Sequence, residues 1–168
     1  DYIDEILSAF EKDDYLILQN EINLLDYIID KAYDKGLIIV LNPSPFDSNL
    51  ERCNLNKISY FVMNEIEGEQ ITGEREEEDI LTSMYIRYPE AKVLLTLGKR
   101  GAVYQEEGKR YRQEIYDSPV VDTTAAGDTF TGFFVASTAK RVAIEEALRI
   151  STMASAIAVS RKGAAPSI

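Results

Sequence analysis

Leu37-Ile38-Ile39-Val40-Leu41, followed by Asn42-Pro43-Ser44-Pro45, decides the fold class. The first five residues are apolar, continuous and rich in β-branched side chains, which marks a strand buried on both faces. The two prolines that follow force an extended loop and end it. Upstream, Ile22, Leu25, Ile28, Ile29 and Ala32 recur at the helical period, and Gly36 stands where a C-terminal cap belongs. Before them Tyr15-Leu16-Ile17-Leu18-Gln19 is a second compact apolar run. Strand, helix and strand at this spacing form a βαβ unit and predict a parallel sheet. Ligands of such sheets bind beyond the carboxyl ends of the strands. Asn42 to Asp47 is therefore a candidate site loop, although a proline-stiffened connection explains the same residues.

The rest of the chain continues in the same manner. Ile3, Ile6, Leu7 and Phe10 predict an amphipathic helix over residues 2–12. Residues 57–63 read as a strand that ends at Asn64-Glu65-Ile66-Glu67. There Asn64 and Glu67 place an amide and a carboxylate on one face, or simply cap a helix and begin its first turn. The acidic run 74–79 reads as the solvated start of a helix through Ile80, Leu81, Met84 and Ile86. Residues 92–97 are the next strand. Gly98-Lys99-Arg100-Gly101 turns it into 102–105, and Glu107-Gly108 turns again into an exposed strand over 109–115. Two long helices follow, over 130–140 and 143–160, the second with an Ala- and Ser-rich face (Ser151, Ala154, Ser155, Ala158) that leaves room for a flat ring.

Between the exposed strand and those helices lies Val121-Asp122-Thr123-Thr124-Ala125-Ala126-Gly127-Asp128-Thr129-Phe130. Small residues let a backbone turn tightly and let a bulky anion approach its N–H groups. A helix that starts at or near Gly127 would point its first N–H groups, and the positive end of its dipole, at that anion. Asp128 would face the same crevice from the first turn. Amides to hold a phosphate and a carboxylate to take a proton suit phosphoryl transfer. The same residues also read as a polar loop whose Asp caps a helix.

Asp122-Thr123-Thr124-Ala125-Ala126-Gly127-Asp128-Thr129-Phe130-Thr131-Gly132 resembles the second signature of ribokinase-type (PfkB-type) sugar kinases. The tail Ala156-Ile157-Ala158-Val159-Ser160-Arg161-Lys162-Gly163-Ala164-Ala165-Pro166-Ser167 resembles the ribokinases within that family. The resemblance implies an α/β ribokinase-like fold, a partial doubly wound and mostly parallel sheet flanked by helices. It covers the C-terminal half of the family's chain. Residues 1–168 are thus expected to be one ATP-binding and catalytic half-domain, with the sugar-binding and lid portion absent. The implied reaction is phosphoryl transfer from ATP to a hydroxyl of a small sugar, ribose first, with Asp128 as general base and the N–H groups of Ala125, Ala126 and Gly127 as anion hole. Asn64 and Glu67 match the family's motif for magnesium and phosphate. Thr96, Gly98 and Gly101 match its nucleotide loop, and Thr152 stands near the position where members often carry a histidine against the base. Asp122 and Thr124, with Lys162, Gly163 and Ser167, resemble its monovalent-cation site, which implies a potassium ion. The other reading, from a different class, is a nucleotide-binding regulatory or structural half-domain without catalysis of its own.

Composition narrows the field further. The net charge of −11 supplies no basic field for nucleic acid, though it leaves ATP open, because its phosphates need only local amides, cations and a metal. There is no histidine, which removes a Ser-His-Asp mechanism and leaves carboxylates as acid–base groups. The single Cys53 fits a reducing, cytoplasmic setting. The sequence has no run of about 18 apolar residues, so no membrane span is expected. The expected partners are ATP, a small sugar, and either the missing N-terminal half or a second copy of the chain.

Overall fold

A computed structural model describes residues 2–163. In chain order these hold α1 (Tyr2–Ser8), β1 (Tyr15–Gln19), α2 (Leu25–Asp34), β2 (Ile38–Asn42), β3 (Tyr60–Asn64), α3 (Glu65–Thr72) and α4 (Glu77–Arg87). They continue with β4 (Lys92–Thr96), β5 (Ala102–Glu106), β6 (Lys109–Gln113), α5 (Ala126–Ala139) and α6 (Ile144–Val159). The six strands hydrogen-bond to one another in the order in which they occur in the chain. This is an α/β fold of the kind expected. The residues group into two compact units, one up to Leu95 with Gln105–Lys109, the other Thr96–Tyr104 with Arg110 onward.

In the first unit β1 and β2 run parallel with Tyr15 opposite Ile38 and Gln19 opposite Asn42, and β3 joins with Val40 opposite Tyr60. Because side chains alternate across a strand, Leu18, Ile39, Leu41, Phe61 and Met63 share one face, and all are buried. α2 packs on β2 and buries Leu25, Ile29 and Ala32. α3 and α4 approach closely at Gly68, where an added Cβ would meet Ile80 Cγ2 at 2.9 Å. Arg87 at the end of α4 donates to the carbonyls of Ile71 and Thr72, both at 2.7 Å, and so caps α3.

Several boundaries differ from expectation. The first helix stops at Ser8 and not at residue 12, because the Glu11 N–H donates to the Asp14 carboxylate at 2.7 Å and Asp13 takes φ 71. α2 starts at Leu25, not Ile22, since Leu24 adopts the left-handed region at φ 59. β3 begins at Tyr60 because Leu55–Lys57 form a 3-10 turn, with the Asn54 side chain accepting from the Asn56 N–H.

In the second unit α5 and α6 pack along each other, and the buried Tyr104 ring lies 5.6 Å from Phe134 and 6.2 Å from Tyr111. The hydroxyls of Ser151 and Thr152 donate to the carbonyls one turn back, Ala147 and Leu148, which lets polar residues sit in a buried helix face.

Candidate active site

Asp122 organises the loop that leads into α5. Its Oδ1 accepts from the Thr124 N–H at 3.0 Å and the Thr124 hydroxyl at 2.5 Å, an Asx turn that bends the backbone. Its Oδ2 accepts from the Gly163 N–H at 3.1 Å. These three bonds favour the charged form and hold its carboxyl below the ordinary range. The N–H groups of Val121 and Asp122 both donate to the Val159 carbonyl, at 2.8 and 3.1 Å. The last turn of α6 thus anchors the start of the loop, and Gly163 anchors its bend.

α5 begins at Ala126, one residue before the Gly127 start that the sequence suggests. The first four N–H groups of a helix have no partner within it. Here the Ala126 N–H turns to the Thr123 carbonyl at 3.2 Å. Those of Ala125, Gly127 and Asp128 have no acceptor among the described residues. The Asp128 side chain lies exposed in the same first turn and takes no hydrogen bond among the described residues. An unengaged carboxylate beside unengaged amides can accept a proton from a hydroxyl that approaches a bound anion. Of the three amides expected to hold that anion, Ala125 and Gly127 are open and Ala126 is not; Asp128 supplies a third.

A pocket of about 570 Å³ opens beside this helix start. Ala126, Gly127 and Phe130 line it from α5, and Thr152, Ser155, Ala156 and Val159 from α6. Thr96, Gly98, Lys99 and Gly101 line it from the β4–β5 turn, with residues of the 115–123 segment closing another side. The Ser155 hydroxyl donates to the Ala126 carbonyl at 3.1 Å and ties α6 to the start of α5. Gly101 takes φ +89, and a Cβ there would meet the Gln113 carbonyl oxygen at 1.9 Å, so only glycine closes this turn. Volume, apolar walls and one corner of open amides suit a nucleotide.

The structure gathers Thr96, Gly98, Gly101, Ala126, Gly127 and Thr152 around one pocket. It also joins Asp122, Thr124 and Gly163 by hydrogen bonds. Lys162 is exposed beside Gly163, and Ser167 lies outside the described residues. Asn64 and Glu67 belong to the first unit. There they form a capping box on α3. The Glu67 carboxylate accepts the Asn64 N–H at 2.9 Å and its amide at 3.0 Å, and the Asn64 side chain accepts the Glu67 N–H at 3.0 Å. Sequence reasoning missed Tyr116, Asp117 and Ser118 as pocket walls. A signal existed, since 114–125 is a dozen residues without regular structure just before the motif, and long irregular loops in compact proteins are mostly functional.

The description "pfkB family carbohydrate kinase" matches residues 23–168. The chain belongs to that family. Among its relatives, the ribokinase of Schizosaccharomyces pombe is 34% identical over 163 residues, covering 91% of this chain and 51% of the relative. The ribokinase of Haemophilus influenzae is 32% identical, covering 92% of this chain and 52% of the relative. The solved structure of Arabidopsis thaliana ribokinase complexed with ribose and ATP superposes with a TM-score of 0.81 at 30% identity, over 92% of this chain and 52% of that one. This pfkB-family chain thus spans about half the length of the relatives it matches. No helix among its described residues is long and apolar enough to cross a membrane.

Proposed function

We propose that the protein is an ATP-dependent sugar kinase of the ribokinase type, with ribose as first choice of acceptor, and that this chain supplies its nucleotide site, anion hole and base. The observation that carries the reading is the unengaged Asp128 carboxylate set among the open N–H groups of Ala125, Gly127 and Asp128, at the corner of a nucleotide-sized pocket. Ribokinases as relatives, and a similar structure that holds ribose and ATP, support it.

In the proposed reaction the sugar hydroxyl attacks the γ-phosphorus. Its proton passes to the Asp128 carboxylate, a P–O bond forms to the sugar oxygen, and the bond from the γ-phosphorus to the bridging oxygen breaks to leave ADP. The open amides stabilise charge on the transferring group, which acts more through position and electrostatics than through covalent chemistry.

Magnesium fits the first unit only indirectly. Each Glu67 oxygen already accepts one hydrogen bond and keeps a further lone pair, and the described residues hold no cluster of three metal-ligating side chains. That donor set suits an ion held through water and phosphate oxygens, which would neutralise phosphate charge. A potassium ion fits the Asp122 turn through its carboxylate, which is held charged and accepts the Gly163 N–H through Oδ2. It would brace the loop without touching the reacting atoms.

The test is Asp128→Asn in the full-length protein, assayed with ATP on a panel of small sugars. It should lower turnover by about 10²–10⁴, the usual contribution of a general base, with nucleotide affinity little changed. Wild-type turnover in the Asn variant would remove Asp128 from the role. Nucleotide binding with no turnover on any sugar would favour the reading as a regulatory or structural half.

A further inference from the structure

Two of the open amides at the start of α5, those of Gly127 and Asp128, belong to peptide groups whose other ends are the carbonyls of Ala126 and Gly127. A peptide group is planar and trans, so its N–H points opposite to its C=O, and whatever holds the carbonyl also aims the amide. Both carbonyls are held from behind. The Ser155 hydroxyl of α6 donates to the Ala126 oxygen at 3.1 Å. The Thr131 hydroxyl, one turn further along α5, donates to the Gly127 oxygen at 2.9 Å. A carbonyl oxygen has two lone pairs, so each hydroxyl adds to the bond that a helix itself supplies there.

A hydroxyl bonded to the carbonyl one turn back is common in helices, and the Thr131 bond is of this kind. The Ser155 bond is not. It comes from a different helix, 29 positions away in the chain, and it is partly buried. It also acts where little else packs on the backbone. Gly127 has no side chain, and an added Cβ there would meet nothing within 4 Å. On the open side the Gly127 and Asp128 N–H groups have no acceptor among the described residues. The restraint on both peptides therefore comes from the carbonyl side. A hydrogen-bonded carbonyl also polarises its own peptide group, which makes the N–H a stronger donor.

We propose that Ser155 and Thr131 are positioning residues for phosphoryl transfer, aiming the Gly127 and Asp128 amides at the transferring group. The proposal rests on the reading of this corner as the anion hole of a sugar kinase. In this role neither hydroxyl meets the transferring group, and each acts through one amide. Donors fixed in advance stabilise the charge of the transition state without having to reorient as the reaction proceeds.

The experiment uses the full-length protein, with steady-state kinetics on ATP and sugar and with ADP binding measured by calorimetry, for Ser155→Ala, Thr131→Val and Thr131→Ser. Deleting a donor of this type outright lowers turnover by about 10²–10³. Loosening its aim should cost less, about the worth of one hydrogen bond. Ser155→Ala should lower kcat about fivefold to tenfold, and Thr131→Val about twofold to fivefold, since the Thr131 bond is exposed to water. Thr131→Ser keeps the hydroxyl and should restore most of the turnover lost in Thr131→Val. The KM for sugar and the Kd for ADP should stay within about twofold of wild type, because neither ligand carries the transferring group. A disturbed packing of α5 on α6 would instead weaken ADP binding, since both helices line the pocket. Unchanged kcat in Ser155→Ala or in Thr131→Val, a loss of ADP affinity that matches the loss in kcat, or a Thr131→Ser variant as slow as Thr131→Val would overturn the proposal while leaving the pocket as nucleotide site. A wild-type protein that binds no ADP, or that binds it and transfers phosphate to no sugar, would overturn the proposed function, and this proposal with it.

Discussion

Two glycines of the pocket, three residues apart, permit a controlled test of how the β4–β5 turn is built. Gly101 takes φ +89 and ψ −134, and an added Cβ would lie 1.9 Å from the Gln113 carbonyl oxygen and 2.8 Å from Glu114 Cα. Both neighbours are backbone, so neither can swing aside as a side chain would. Gly98 takes φ +55, and an added Cβ there would meet nothing within 4 Å. Gly98→Ala therefore carries only the left-handed backbone penalty, about 1–2 kcal/mol. Gly101→Ala carries a backbone penalty of about 1–3 kcal/mol and a forced shift of β6 worth about 1–3 more. Equilibrium urea unfolding, with the slope checked for constancy, gives both numbers on one scale. Gly101→Ala should cost about 2 kcal/mol more than Gly98→Ala, and should also weaken ATP binding, since the displaced turn lines the pocket. Equal destabilisation by the two substitutions would refute the argument, because it would mean that the turn relaxes freely around the Cβ.

Gly68→Ala should destabilise by about 1–3 kcal/mol by forcing α3 from α4, and combining it with Ile80→Ala should cost less than the sum of the two, as read from denaturation midpoints. The Asp122 carboxyl, held below its usual value by Thr124 and Gly163, stabilises the folded state above the unfolded value of 3.8 and loses that effect as pH falls through the lower folded value. In thermal melts Asp122→Asn should therefore lie below wild type at neutral pH and converge on it below about pH 3.8; a deficit that persists unchanged at lower pH would show that the charge is not what matters.

How much was legible in the sequence depends on the range of the deciding contact. Leu37–Leu41 declares a strand because five apolar residues in a row leave no solvent-facing side, and β2 occupies Ile38–Asn42. The start of α5 at Ala126 lies one residue before Gly127, where small residues allow a helix to begin, and four before Phe130, where the apolar run alone begins it. What the sequence hid is set across distance. Nothing local to Leu24 announces a left-handed residue, and nothing in Arg87 says that it will cap a different helix. Likewise the face of α6 read from the sequence, Ser151, Ala154, Ser155 and Ala158, shares only Ser155 with the residues that line the pocket, and the bond of Ser155 to Ala126 joins residues 29 positions apart. The bond of the Ala126 amide to Thr123 was hidden for a subtler reason: composition shows where a helix starts but not which of its first amides a preceding carbonyl will take.

The bonds from Val121 and Asp122 to the Val159 carbonyl have a consequence for how the chain can change length. They fasten the Asp122 turn to one end of α6, while the Ser155 hydroxyl fastens the start of α5 to a point four residues earlier, about 6 Å along the axis at the rise of an α-helix. α6 is then a ruler laid beside the pocket. One residue inserted between 155 and 159 would lengthen it by only about 1.5 Å, yet would turn every residue beyond the insertion by about 100° around the axis. The two fastenings would then face different directions, and no shift of a side chain could restore both. The 114–119 segment carries no such register, so a residue gained or lost there only slackens or tightens a loop. Insertions and deletions should accordingly accumulate before the Asp122 turn and be purged from the helix after it.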